Sequence, residues 1–342
     1  MAEPSALRRV LPALGLYFLS PLVAEFLLGN IPITAIAAYL AVSTMYGGGA
    51  LLVRELARRA GYGWPSMITF ALAFGVIEES FATMTLFNPN WEHRHQLDYG
   101  YLPALGISPP WTLFVLALHT VWSISVPIAI AETLARSRRT TPWLGKAGLA
   151  VAATLFVLGL LTVLASSVTR GNFVASPAQY GGAGLAVVAI IAVGMILGRR
   201  EATAPSASTA SARRAPNPWL VGTASLAAGS AFMLLYATDP RGLSPWLTGL
   251  DVPPWTATVL YLALFTALAV ATSRWSRRTG WSDAHRLALA GGALLTYAWH
   301  AFPWEPITTS PVSNATDLTS NAVLATATIA LLTVAALRLP RR

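Results

Sequence analysis

The sequence predicts an all-α, polytopic transmembrane helical bundle of about ten spans, with both termini in the cytoplasm. Three observations carry that prediction. The 342 residues are 55% hydrophobic and only 11% charged, with a mean hydropathy of +0.57, whereas an ordinary soluble chain carries about 25% charged residues. Apolar runs close to the roughly 20 residues needed to cross about 30 Å of hydrocarbon recur along the whole chain. Finally, 20 of the 23 basic residues fall in alternate connections between those runs, the asymmetry expected of cytoplasmic loops.

Spans are read near residues 10–29, 33–53, 66–87, 110–134, 144–167, 183–198, 218–237, 255–273, 285–303 and 320–338. The first follows Arg8 and Arg9. It is too long for the apolar core of a signal peptide and lacks a small-x-small cleavage site, so it reads as an uncleaved span. The second contains Gly47-Gly48-Gly49. With no strand before it and no Lys-Ser/Thr after it, this is a place for close helix packing rather than a phosphate loop. The third carries Glu78-Glu79 and the fourth carries His119. The sixth is short and runs into Arg199 and Arg200. A Ser/Thr/Ala/Pro-rich stretch, 201–217, reads as a flexible cytoplasmic linker. It separates an N-terminal membrane half, 1–200, from a C-terminal half, 218–342.

The orientation follows from Arg8/Arg9, Arg54/Arg58/Arg59, Arg136 to Lys146, Arg199 to Arg214, Arg274 to Arg286 and Arg338 to Arg342, all assigned to one side. Arg94, Arg170 and Arg241 alone remain on the other. The loops on that outer side carry Trp91, Tyr99, Tyr101, Trp111, Tyr180, Trp246, Trp255 and Trp304, suited to the membrane–water interface. Residues 108–118 and 252–262 share Pro-Pro-Trp-Thr and are identical at seven of eleven positions. They mark the fourth and eighth spans as members of a possible degenerate parallel repeat.

The net charge of +9 and pI near 10.3 do not indicate nucleic acid, because the arginines sit in clusters between apolar runs. The absence of cysteine excludes disulfides, thiolate metal ligands and a thiol nucleophile. Arg54, Glu55 and Arg58, and Glu132 with Arg136, read as ion pairs at the cytoplasmic ends of their helices. His93, His95, Glu92 and Asp98 form a polar outer loop that could bind a metal or cap a cavity.

Chemistry is expected where ionisable groups lie inside spans, where a central Asp, Lys or Arg costs about 2.5–3.5 kcal/mol. Those groups are Glu25, Glu78, Glu79, His119 and His300. At 1.5 Å per residue, Glu78 and Glu79 lie roughly 15 Å and His119 roughly 14 Å below the outer helix ends, a common level. Glu25 and His300 lie shallower, where they could pair or line a cavity mouth. Thr83 and Ser123 are i+4 from Glu79 and His119, on the same helix faces, Thr296 is i−4 from His300, and Trp299 precedes His300. Two adjacent carboxylates in low dielectric do not both ionise readily, which leaves one donor beside one base. Glu78, Glu79, His119 and His300 are therefore the catalytic candidates, and Glu25, Thr83, Ser123 and Trp299 the candidates for substrate contact. No cofactor is required by the pattern, although the carboxylates with His119 could hold a divalent metal.

Glu78-Glu79 in one span, His119 after Phe114 in the next, and a later intramembrane His300 resemble the CAAX-protease and bacteriocin-processing family of intramembrane endopeptidases. The resemblance implies that Glu78 activates water, Glu79 partners it, and His119 and His300 assist. Thr83 stands where that family has Arg, Phe114 is five rather than four residues before His119, and Trp304 stands where the family prefers Asn. The N-terminal half also resembles uncharacterised bacterial membrane proteins. Three functions stay open: an intramembrane peptidase-like hydrolase acting on a membrane-embedded peptide, a proton- or cation-coupled transporter of a small solute, and a non-catalytic assembly subunit. The lipid bilayer is the expected partner; the sequence gives no oligomeric state.

Overall fold

The computed structural model of the protein describes residues 6–203, 211–242, 246–307 and 311–339. Almost all of the regular structure is helical. The helices are α1 (Ala6–Pro21), α2 (Ile36–Arg59), α3 (Trp64–Ile77), α4 (Pro109–Ala117), α5 (Val126–Ala135), α6 (Lys146–Gly171), α7 (Pro177–Thr203), α8 (Pro218–Tyr236), α9 (Pro254–Ser276), α10 (Asp283–His300) and α11 (Asn314–Leu337). Three of them pass into π-helical turns: α1 at Leu22–Leu27, α3 at Glu78–Ala82, and α4 at Leu118–Ser125, which joins it to α5. Among the described residues this gives ten helical rods, one for each predicted span. Eight are long and apolar enough to cross a membrane; the other two are α3 and α10, which carry or flank charged and polar residues.

Two span boundaries differ from the sequence reading. The third rod ends at Ala82 rather than near residue 87. Met84 takes φ +58°, and the N–H groups of Phe87 and Asn88 turn back onto the Met84 carbonyl. Hydropathy continues through this segment, but the backbone does not. The sixth rod is a 27-residue helix, not a short one. Its start is set by a reciprocal cap: Gln179 N–H donates to Ser176 Oγ, and Ser176 N–H to Gln179 Oε1. The Gly/Ala-rich first turns that follow have little hydropathy yet remain helical. Within the expected linker, residues 211–214 form a strand (β1) paired in parallel with Arg278–Thr279 (β2). Residues 204–210, like Arg341 and Arg342, lie outside the described residues.

The chain divides into two compact units. The first comprises Met1–Phe26, Ile33–Asn88 and Val115–Ala204; the second comprises Leu27–Pro32, Pro89–Phe114 and Pro205–Arg342. In the first, α2 packs on α1 and α6, and α3 packs on α7. The triple glycine permits this. Gly47 faces Tyr17 of α1, Gly48 faces the Ala152–Phe156 backbone of α6, and Gly49 faces the Phe74 ring of α3. Small residues let helix backbones approach where lipid supplies no hydrophobic driving force. Val157, Leu161, Leu185 and Val188, on α6 and α7, are exposed, as suits a lipid-facing surface. In the second unit α10 packs on α8 and α11, and α9 on α8. Gly292 meets the backbone of Gly222 and Leu226 on α8, and Phe114 stacks on Tyr236 with ring centroids 3.7 Å apart.

The ion pairs predicted at helix ends are present but buried and differently partnered. Arg54 and Glu55 are both fully inaccessible. Arg54 Nη1 contacts Glu55 Oε1 at 2.6 Å and its Nε contacts Glu132 Oε1 at 3.1 Å, while Arg58 Nη2 contacts Glu132 Oε2 at 2.6 Å. Glu132 thus pairs with Arg54 and Arg58 rather than with Arg136, because its side chain turns toward α2. The cluster also holds the loop after α5. Arg54 donates to the Arg139 and Thr141 carbonyls, its guanidinium lies 3.3 Å over the Trp143 ring, and Glu55 accepts from the Trp143 and Leu144 N–H groups.

Candidate functional site

The first unit brings Glu78, Glu79 and His119 together, and all three are buried. His119 Nε2 lies 2.6 Å from Glu79 Oε1, and Nδ1 lies 3.0 Å from Glu78 Oε2. The imidazole is therefore held between two carboxylates, one at each nitrogen. The Nε2 contact is a directed hydrogen bond. The Nδ1 contact is close but off-line, and no donor is aligned on Glu78 Oε2. Ser123 Oγ lies 3.2 Å from His119 Nδ1, and Thr83 Oγ1 donates to Glu79 Oε2 at 3.0 Å. Both i+4 neighbours thus meet their expected partners.

Local backbone geometry makes these contacts. Glu78 and Glu79 open one π-helical turn, and His119 lies in another. A π-turn inserts one extra residue into the helix and frequently accompanies functional sites. At the first, Thr83 N–H bonds to the Glu78 carbonyl, five residues back. Because the helix stops at Ala82, the segment beyond it folds over the site, and Thr85 donates a hydrogen bond to Glu79 Oε2. Irregular backbone is tolerated at membrane depth only where protein or a polar cavity surrounds it; Met84, Thr85, Leu86 and Asn88 are all buried. Gly75 gives His119 room, since a side chain there would crowd the His119 Cβ.

Tyr46 of α2, not singled out in the sequence, completes the wall. Its ring stacks near-parallel to His119 at 6.0 Å, and Phe74 lies 6.2 Å away on a tilt. Its hydroxyl donates to Glu25 Oε1 at 2.5 Å and interacts with the Glu78 carboxylate, to which it makes no aligned hydrogen bond. Glu25 is itself on the π-turn that ends α1, and only partly buried. Ser20 Oγ donates to the Ser123 carbonyl at 2.6 Å and to the Tyr46 carbonyl at 3.1 Å, tying α1 to the helices on either side. Neither Tyr46 nor Thr85 carries a charge or a motif. A tyrosine beside a glycine triplet, and a threonine past a helix end, give no sequence signal for this role.

The remaining candidates belong to the second unit. His300 is fully buried against Trp304, ring centroids 4.9 Å apart, and Trp299, and no partner is aligned with either ring nitrogen. Trp299 Nε1 donates to Ser230 Oγ, and Thr296 Oγ1 is engaged by the Gly292 carbonyl rather than turned toward His300. In the loop between the third and fourth rods His95 and Asp98 lie 3.9 Å apart and half exposed. Among the described residues, Glu78, Glu79 and His119 are the group whose ligand atoms come within 4.8 Å of one another. That set is compact enough for a three-ligand metal site. However, the carboxylates approach opposite ring nitrogens, whose lone pairs diverge, so one ion could not replace both contacts.

Buried acid–base residues inside a bundle of long apolar helices define a multi-pass α-helical membrane protein. The model of an uncharacterised membrane protein family matches residues 14–341, nearly the whole chain, and the protein belongs to that family. No curated protein and no solved structure matches it.

Proposed function

We propose that the protein moves protons through an intramembrane Glu78–His119–Glu79 centre, and that this centre serves proton-coupled transport of a small solute. One observation carries the reading: the imidazole has a carboxylate at each of its nitrogens. A proton arriving at Glu78 passes to Nδ1 while the Nε2 proton leaves to Glu79, so the ring transmits a proton without rotating. Intramembrane ionisable residues commonly mark such relays. Thr83 and Thr85 hold the Glu79 carboxylate at the receiving end, and Ser123 orients the ring.

The test uses vesicles loaded with a pH-sensitive dye under an imposed inside-negative potential. Wild type is expected to admit protons, and Glu79→Gln and His119→Gln to lower the rate at least about ten-fold, equivalent to about 1.4 kcal/mol of barrier. Equal traces from wild type and both variants would remove the proposal.

A second reading has its own support. Glu78 Oε2 is buried with no donor aligned on it, a place where a base would hold a water. The order Glu-Glu, then His in the next span, resembles the CAAX-protease and bacteriocin-processing endopeptidases. On this reading Glu78 activates water against a membrane-embedded peptide, with His119 assisting. Its signature is peptide cleavage lost in Glu78→Gln; a purified protein that leaves every hydrophobic test peptide intact counts against it.

A further inference from the structure

Three π-turns in this chain carry its intramembrane acids and one of its two intramembrane histidines: Glu25 on the first, Glu78 and Glu79 on the second, His119 on the third. One side chain, Tyr46, stands between the first and the others. It is 3% exposed. Its hydroxyl bonds Glu25 Oε1 at 2.5 Å and interacts with Glu78, and its ring lies against His119, whose Nδ1 is 3.0 Å from Glu78 Oε2. Its position is fixed from outside the contact as well, because its carbonyl accepts from Ser20, which also binds the Ser123 carbonyl. Across Tyr46 from the centre, Glu25 is the only acid of the set that is not buried.

We infer that Tyr46 is the relay residue through which the buried centre exchanges protons with Glu25, and that Glu25 is the port of the site. The inference rests on the proton-moving reading of Glu78, His119 and Glu79. A hydroxyl both donates and accepts, so the step balances with no other reactant. The Glu25 carboxylic acid gives its proton to Tyr46 Oη as the Tyr46 proton passes to the Glu78 carboxylate. Glu25 is left ionised, Tyr46 neutral as before, and Glu78 protonated. The transfer itself leaves the hydroxyl proton on the Glu25 side, the bond seen in the structure, and rotation of the C–O–H toward Glu78 readies it for the next proton. The centre then passes the proton on through His119 to Glu79. Phenylalanine in place of Tyr46 would preserve the ring stack on His119 and Phe74 while deleting the relay atom.

The experiment is a pH jump on purified full-length protein, following the carboxyl C=O infrared band assigned to the centre by its loss in Glu78→Gln and Glu79→Gln. Protonation of that band is expected to slow at least about ten-fold in Tyr46→Phe, corresponding to about 1.4 kcal/mol, and to a similar extent in Glu25→Gln. The wild-type rate should fall in heavy water, and melting temperatures should stay close to wild type. Should Tyr46→Phe fold poorly, Glu25→Gln alone decides, since it alters a partly exposed group away from the packed ring. A band that protonates at the wild-type rate in the folded variants overturns the relay and leaves the centre standing. A band that never protonates in wild type overturns both.

Discussion

His119 shows how much a single position is asked to do. It is held by Glu78, Glu79 and Ser123 and walled by Tyr46 and Phe74. Replacing it with leucine would leave two carboxylates buried against each other with no donor between them. An uncompensated buried charge of this kind costs about 3–5 kcal/mol, so His119→Leu should lower the melting temperature sharply, whereas His119→Gln, which keeps a donor, should cost less; thermal unfolding in detergent decides. A second prediction concerns Asp239, in the turn after α8 and outside the spans. Burial pushes its carboxyl up to about 6, opposed by the Arg241 N–H and guanidinium. The folded protein then holds this proton more tightly than the unfolded chain, whose Asp titrates near 3.9. The stabilisation is complete below about pH 4 and is lost as pH rises through about 6. Asp239→Asn should therefore melt increasingly above wild type between pH 4 and pH 7, and a pH series of paired melts would show it.

At the scale of helices, close approach is the recurring device. A methyl group on Gly48 would meet the Phe156 N at 2.9 Å and the Ala152 O at 3.0 Å, both backbone atoms of α6, whereas Gly182 on α7 has nothing within 4 Å. Alanine at Gly182 should be neutral or gain up to about 1 kcal/mol from helix propensity. Alanine at Gly48 should destabilise by forcing α2 from α6, and the sign difference between the two melts is the check. The positions of the rods were legible from hydropathy, and the tight packing from the glycine triplet. The end of α3 was not. Met84, Leu86 and Phe87 carry the apolar run past the helix end, and the left-handed turn falls at Met84 rather than at a Gly or Asn. The extension of α7 was legible in principle, in the Ser176-Pro-Ala-Gln179 cap. A common depth for Glu78, Glu79 and His119 was legible from their positions in consecutive spans, although the long loop between those spans left their meeting unforced. The contributions of Tyr46 and Thr85 did not, because each depends on which face a neighbouring element turns inward.

For the molecule as a whole, the proposed topology rests on the arginine clusters, and a chain without cysteine offers a direct test. Ser137 and His95 are both exposed. A single cysteine at Ser137 should react with an impermeant maleimide only from the cytoplasmic side, and one at His95 only from the opposite side; labelling of both from one side would reverse the assignment. The His119 clamp also has a consequence for how the chain is made. The helix bearing Glu78 and Glu79 emerges from the ribosome before its imidazole partner exists, and alone it is a poor tenant of lipid. It is therefore expected to enter the bilayer paired with the following helix. A mutation that spoils His119 would then be felt during biogenesis, as a helix handed to quality control.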